Sequence, residues 1–218
     1  MVEDKKYYYN LTDRGVYDIE QHLGVNLAKE ATQWQENAVV LQSGMGFSER
    51  TVKVIARVRQ DLCFIGIDAT LNLDDSYKVR RDSTNTYHIN PADSPFLVID
   101  EHDEILSYNE FIKRRRCLLP NIPIITQRIP PINLPDKGVD VILDIFGPAA
   151  YSYQDSPTHI NTLIQEYSRV ISERGIIYIT ASDRIYPEEF YQAYFGSGAQ
   201  VAYFTGNIDQ IARITLCG

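Results

Sequence analysis

Along this chain, short unbroken apolar runs alternate with stretches in which apolar residues return every third or fourth position. The unbroken runs are "AVVLQ" at 38–42, "LCFIGID" at 62–68, "IPIIT" at 122–126, "VDVILDIFG" at 139–147 and "IIYIT" at 176–180. Strands covered on both faces of a parallel sheet have this composition. Between them, Val52, Ile55 and Val58 predict a helix over 48–59. Ile160, Leu163, Ile164, Tyr167, Val170 and Ile171 form one helical stripe. Ser156-Pro157 supplies that helix with an N-cap and a first-turn proline, and Gly175 is expected to stop it. Residues 12–34 predict a helical arm, with Val16, Ile19 and Leu23 before Gly24 and Leu27, Ala28 and Ala31 after it. "YPEEFYQAYF", 186–195, predicts another helix. "QVAYFT" and "IARITL", at 200–205 and 211–216, predict two successive antiparallel strands.

The alternation breaks from residue 69 to about residue 120. Asp74–Arg81 predicts a short helix, and "DSTNTYHINPADSP" has loop composition. "FLVID" and "EILSY" flank a polar pair as the arms of a hairpin do, and "NEFIKRRRCLL" predicts a helix. We expect an insertion over about 82–120 within a single domain covering 1–218, whose residues 1–35 form the N-terminal arm. The whole pattern predicts an open α/β sheet, mostly parallel, with helices on both faces and an antiparallel hairpin at the end.

Composition bounds the partners. Hydrophobic residues make up 44% and charged residues 23% of 218, as in an ordinary globular domain. No apolar stretch has bilayer-crossing length, and "MVEDKKYYYN" is no secretory leader, so a soluble, unprocessed, cytoplasmic protein without a membrane partner is expected. The three cysteines, Cys63, Cys117 and Cys217, are too scattered for a disulfide framework or zinc knuckle, and Cys63 is expected to be a buried thiol. The four histidines show no metal-ligand spacing, and no metal is expected. A net charge of −8 argues against broad nucleic-acid binding, which needs a basic surface. Lys113, Arg114, Arg115 and Arg116 form one local basic run, either a solvated helix face or a local RNA contact.

The chemistry-bearing stretch is "VVLQSGMGFSER", 39–50. Ligands of open α/β sheets bind beyond the carboxyl ends of the strands, near the point where strand order switches, and the first strand–helix turn contributes. Gly44-Met45-Gly46 occupies that turn, where glycine leaves backbone amides open to a ligand. Asp68 closes the next apolar run, roughly 20 residues on, the separation of a carboxylate that accepts ribose hydroxyls. Other templates fail. A P-loop needs Gly-Lys-Ser/Thr where this chain has Phe47-Ser48-Glu49. A hydrolase elbow needs a second glycine where Arg50 stands, and Ser48 suits a helix cap instead. A nicotinamide-binding loop wants a third glycine, and would not by itself explain the terminal strand pair.

Over roughly residues 36–216 this order resembles the class I S-adenosylmethionine-dependent methyltransferases. "VLQSGMGFS" is similar to that family's first motif, V-L-D-x-G-x-G-x-G, and "FIGIDAT" to its second. "INLPDKGVDVILDIFGPAAYS" resembles the stretch facing the methyl donor, and "LIQEYSRVISERGIIYIT" the helix and strand after it. The resemblance implies a Rossmann-like sheet of seven strands with an antiparallel seventh, and S-adenosylmethionine as cofactor. It places Gln42, Ser43, Gly44, Met45, Gly46, Asp68, Ala69, Ile129, Asp144 and Ile145 around that cofactor, with Asp144 and Tyr151 as catalytic candidates. Four departures stand out. Gln42 replaces an acid, and Ser48 replaces the third glycine. Pro130-Pro131 falls near the usual Asp-Ala pair, and Glu173-Arg174-Gly175 replaces Lys-Pro-Gly-Gly.

Several roles stay open. Asp144 is either a satisfied structural carboxylate or a group near the cofactor or acceptor. Tyr151 and Tyr153 either face the acceptor or pack in the core, and Tyr7, Tyr8 and Tyr9 form either a lid or a surface arm. Three functions follow: methyl transfer to a small molecule or protein side chain, a degenerate methyltransferase-like binding or interaction module, or RNA methylation through the basic run.

Overall fold

The computed structural model describes residues 9–12, 16–44, 49–68, 73–81, 86–93, 104–116, 122–127, 129–150, 157–180 and 186–218. Strand β1 (Tyr9–Thr12) is followed by helix α1 (Val16–Leu23) and the short α2 (Leu27–Glu30). Next come β2 (Val39–Ser43), α3 (Glu49–Val58) and β3 (Cys63–Asp68). The chain continues through β4 (Tyr77–Arg81), β5 (Thr86–Pro91), β6 (Ile105–Ser107) and α4 (Tyr108–Arg116). It then forms β7 (Ile124–Thr126), β8 (Val139–Asp144), α5 (Pro157–Val170), β9 (Ile171–Thr180), α6 (Glu188–Phe195), β10 (Gln200–Thr205) and β11 (Gln210–Thr215).

Seven strands make the main sheet, in the order β10-β11-β9-β8-β2-β3-β7. β9, β8, β2, β3 and β7 run parallel, and β11 lies antiparallel between β9 and β10. The unbroken apolar runs have their cause here, because alternate side chains of each central strand enter two different cores. Leu41 and Ile142 meet Leu163, Ile164 and Tyr167 of α5. Val40, Val141 and Leu143 meet Ile19 and Leu23 of α1 and Val52 and Ile55 of α3. Each such side chain contributes about 1.5–3 kcal/mol by leaving water. Polar contacts fasten the arm on that second face. Tyr178 of β9 donates its hydroxyl to Glu30 at 2.7 Å, and Arg213 of β11 donates to the same carboxylate at 2.8 Å.

Two helix boundaries differ from expectation. The first helix starts at Val16 and ends at Leu23, not spanning 12–34, and Thr12 belongs to a strand. Asn26 opens a new helix by accepting the Lys29 amide at 3.0 Å. Gly175 does not stop α5, which ends at Val170 and gives way directly to β9. The Arg169 carbonyl is taken from outside by the Lys137 amide at 2.9 Å, and Ile171 already pairs with Val139.

A second sheet of four antiparallel strands, β1-β5-β4-β6, is built mostly from the stretch between β3 and β7. Asp74–Arg81 is therefore not a helix, and "DSTNTYHINPADSP" is not all loop. Tyr77–Arg81 and Thr86–Pro91 pair with Val79 opposite Ile89. These strands alternate polar and apolar residues: Val79 and Ile89 point to a small core with Tyr108 and Phe111 of α4, while Lys78, Arg80, His88 and Asn90 share the other face. From the other arm of the expected hairpin, Ile105–Ser107 pairs with β4. "FLVID" lies outside the described residues. Cys63 is exposed rather than buried, because it opens β3 at the sheet's amino end. Among the described residues no helix is long and apolar enough to cross a membrane.

Candidate functional site

The chain leaves β2 toward β3 and β7 on one side of the sheet and returns to place β8 and β9 on the other. That reversal puts a crevice at the carboxyl ends of β2, β3 and β8. The distribution of buried polar groups marks the same place. Among the described residues the buried polar side chains are Gln42, Ser43, Thr51, Asp68, Arg80, Asp144 and Thr180. Gln42, Ser43, Asp68, Asp144 and Thr180 all sit at the carboxyl ends of β2, β3, β8 and β9. Burying a polar group costs free energy unless it is partnered, so such a concentration needs a purpose.

Register places the parts. Ser43 lies opposite Ile67, so the turn at Gly44 begins beside Asp68. Gln42 lies opposite Leu143 of β8, so Asp144 comes level with Ser43. Gln42 shares the face of Val40, and its buried Oε1 has no hydrogen-bond partner among the described residues. Asp68 is 6% exposed.

Asp144 is fully enclosed, at 0% exposure. Its Oδ2 accepts the Tyr167 hydroxyl at 2.6 Å and the Ala149 amide at 3.0 Å. The same Tyr167 oxygen lies 2.5 Å from Ser43 Oγ. Burial raises the Asp144 carboxyl to about 7, against the pull of those two hydrogen bonds and of the Gly147 amide. Burial, then the nearby Asp144 charge, pushes the Tyr167 phenol well above its ordinary value. The turn after β8 has a second fastening, where Phe146 N–H donates to Thr180 Oγ1 at 3.2 Å.

Gly44 has φ +61, and its missing Cβ has a use other than the expected one. A Cβ there would lie 2.6 Å from Pro148 Cδ and 2.9 Å from Gly147 Cα. A Cβ on Gly147 would lie 2.4 Å from Asp144 Oδ1 and 2.6 Å from the Ser43 carbonyl. The two glycines thus let the turns after β2 and β8 touch backbone to backbone, and on that side Gly44 faces protein rather than open space.

The structure brings Gln42, Ser43, Gly44, Asp68 and Asp144 to one end of the sheet. Ile129 and Ile145 are buried in opposite cores, at 6% and 9% exposure. Met45, Gly46, Ala69, Tyr151, Tyr153, Tyr7 and Tyr8 lie outside the described residues. Sequence reasoning placed Tyr167 on the packing stripe of its helix and missed its hydroxyl contacts. A tyrosine among aliphatic residues was the available signal. In the basic run, Arg114 pairs with Glu104 at 2.6 Å, and both side chains are more than half exposed. Among the described residues no group of His, Cys, Asp or Glu is placed to hold a metal ion.

No family model matches the sequence, and no curated protein matches it. Solved structures do match. A SAM-dependent methyltransferase from Aquifex aeolicus aligns over 91% of this chain and 92% of its own, with TM-score 0.52 and 15% identity. A TehB-like SAM-dependent methyltransferase from Corynebacterium glutamicum aligns over 88% and 86%, with TM-score 0.51 and 10% identity. The fold is that of the class I methyltransferases. Within this methyltransferase fold the antiparallel β11 falls where the sequence resemblance placed it.

Proposed function

We propose that this chain binds S-adenosylmethionine at the carboxyl ends of β2 and β3 and transfers its methyl group to a small molecule or a protein side chain. One observation carries the proposal: Asp68 ends β3 in register beside the Gly44 turn, in the crevice where strand order reverses. A carboxylate there suits paired ribose hydroxyls, each as a charge-assisted hydrogen bond. The unpartnered Gln42 Oε1 suits a donor on the bound molecule. The cofactor, when bound, supplies an activated methyl group on a sulfonium. The chain's part is to orient the acceptor in line and exclude water. Asp144, sealed beneath the turn, works in this scheme as a support for residues 145–150 and touches no solvent.

The acidic balance of the chain and the exposed Arg114–Glu104 pair favour an acceptor other than bulk RNA. The exposed Cys63 and Cys217 thiols suit a reducing compartment, and the proposal places the protein in the cytoplasm.

A second function is favoured by a specific observation. Pro148 and Gly147 fill the space beside Gly44, and Gln42 stands where the related motif has an acid. Both suit a methyltransferase fold that binds without turning over. Calorimetry with S-adenosylhomocysteine tests the first proposal. Wild type should bind, and Asp68→Ala should weaken binding about a hundredfold through lost charge-assisted hydrogen bonds. Equal affinity in the two proteins, or none in wild type, would remove the ribose role of Asp68. Binding without methylation of any acceptor pool would select the second function.

A further inference from the structure

The buried polar groups at the end of the main sheet form one connected device. A phenol has a single proton, and the Tyr167 hydroxyl gives it to Asp144 Oδ2 at 2.6 Å. With the Asp144 carboxyl ionised, the 2.5 Å contact to Ser43 runs the other way, with Ser43 Oγ–H donating to Tyr167. A directional chain results, from Ser43 at the end of β2, through Tyr167 on α5, to Asp144 at the end of β8. Asp144 Oδ2 passes the restraint on by accepting the Ala149 amide at 3.0 Å. Gly147 sits between the Ser43 carbonyl and Asp144 Oδ1, with no room for a Cβ toward either.

Ser43 therefore acts twice. Its hydroxyl holds Tyr167, and its carbonyl bounds the turn that Tyr167 and Asp144 hold from the other side. We propose that Tyr167 is a positioning residue: through Ser43 and Asp144 it sets how closely the turn after β8 is held to the turn after β2, and so shapes the crevice a ligand enters. This deepens the cofactor proposal above, and only the ligand's identity rests on it. The groups facing Asp144 are Tyr167 from α5, with Ser43 of β2 behind it, the turn amides of Ala149 and Gly147, and Tyr191 from α6, whose phenol is raised by burial and also by the Asp144 charge.

The test compares the full-length wild type with Tyr167→Phe, Ser43→Ala and the double variant. Ionisation of Asp144 is followed by the infrared carbonyl band of its protonated form, assigned by the band's loss in Asp144→Asn. The wild-type carboxyl should titrate near neutrality. Without the Tyr167 hydroxyl, which favours the charged carboxylate, the titration should move to higher pH. Amide exchange at Ala149 should quicken, and S-adenosylhomocysteine affinity should fall about tenfold. Ser43→Ala should shift the titration the same way by less. The double variant should be no worse than Tyr167→Phe alone, because the two act through one chain.

An unchanged titration and unchanged Ala149 exchange in Tyr167→Phe would overturn the proposal, as would strictly additive losses in the double variant. Failure of the wild type to bind S-adenosylhomocysteine would sink the cofactor proposal alone, since titration and exchange are read without ligand.

Discussion

The main sheet and the smaller sheet inserted before β7 use opposite strategies. Each central strand of the main sheet feeds two cores, which among the described residues hold nineteen and sixteen buried apolar side chains. The smaller sheet has one apolar face, and its core is four side chains, Val79, Ile89, Tyr108 and Phe111. Its other face carries Lys78, Arg80, His88 and Asn90. The main sheet spends its polar burial at one end, around Ser43, Asp68, Asp144 and Thr180. A large apolar body can tolerate that local cost, and the smaller sheet, with its four-residue core, buries a single charged side chain, Arg80, among the described residues. The larger cores and the candidate chemistry therefore share one sheet.

The contrast predicts different responses to the same kind of damage. Ile142→Ala, at the centre of β8 with 0% exposure, should lower global stability by about 2–5 kcal/mol in denaturant titration. A loss below about 1 kcal/mol would mean that the central strand is not the common support of both cores.

Asp144→Asn probes the polar end. The folded carboxyl titrates at about 7, above its unfolded value of 3.8, so the folded state holds an extra proton between those limits. Its contribution to stability is complete below pH 3.8 and is lost as pH rises through 7. Asparagine has no such loss. Relative to wild type the variant should gain about 2–3 kcal/mol between pH 5 and pH 8.5, read by parallel denaturation curves. Parallel pH profiles would show that the carboxyl is charged throughout.

Ile89→Ala should have the smallest global effect, under about 1 kcal/mol, although the residue is as fully buried as Ile142. Its effect should appear locally, as faster amide exchange in 77–91 while β2 and β8 stay protected. If both sheets lost protection together, they would be one cooperative unit and the contrast would fail.

Strand and helix positions in the main sheet were legible because parallel strands covered on both faces have to be apolar throughout. The runs at 38–42, 62–68 and 139–147 became β2, β3 and β8, with β2 shifted by one residue, β3 starting one residue later and β8 ending at Asp144, three residues early. The smaller sheet was misread for the complementary reason. Strands whose second face is lined by polar residues dilute the apolar signal, and "TYHINP" has the composition of a loop. Its partner β1 lies far away in sequence, with Leu11 opposite Tyr87, and no local pattern announces that pairing. The candidate site was legible at Gly44, Asp68 and Asp144, each of which interrupts or ends an apolar run.

By itself, then, the sequence determined the alternation of strands and helices, the terminal hairpin and the polar residues punctuating the strand ends, all encoded in spacing along a few turns or strands. Only the tertiary structure decided that Gly44 makes room for Pro148, that Asp144 is sealed from solvent, and that Tyr167 joins it to Ser43. Those partners lie up to 124 residues apart. A hydrogen bond depends on distance and direction in space, and side chains so far apart along the chain acquire both only when the sheet and α5 close around them.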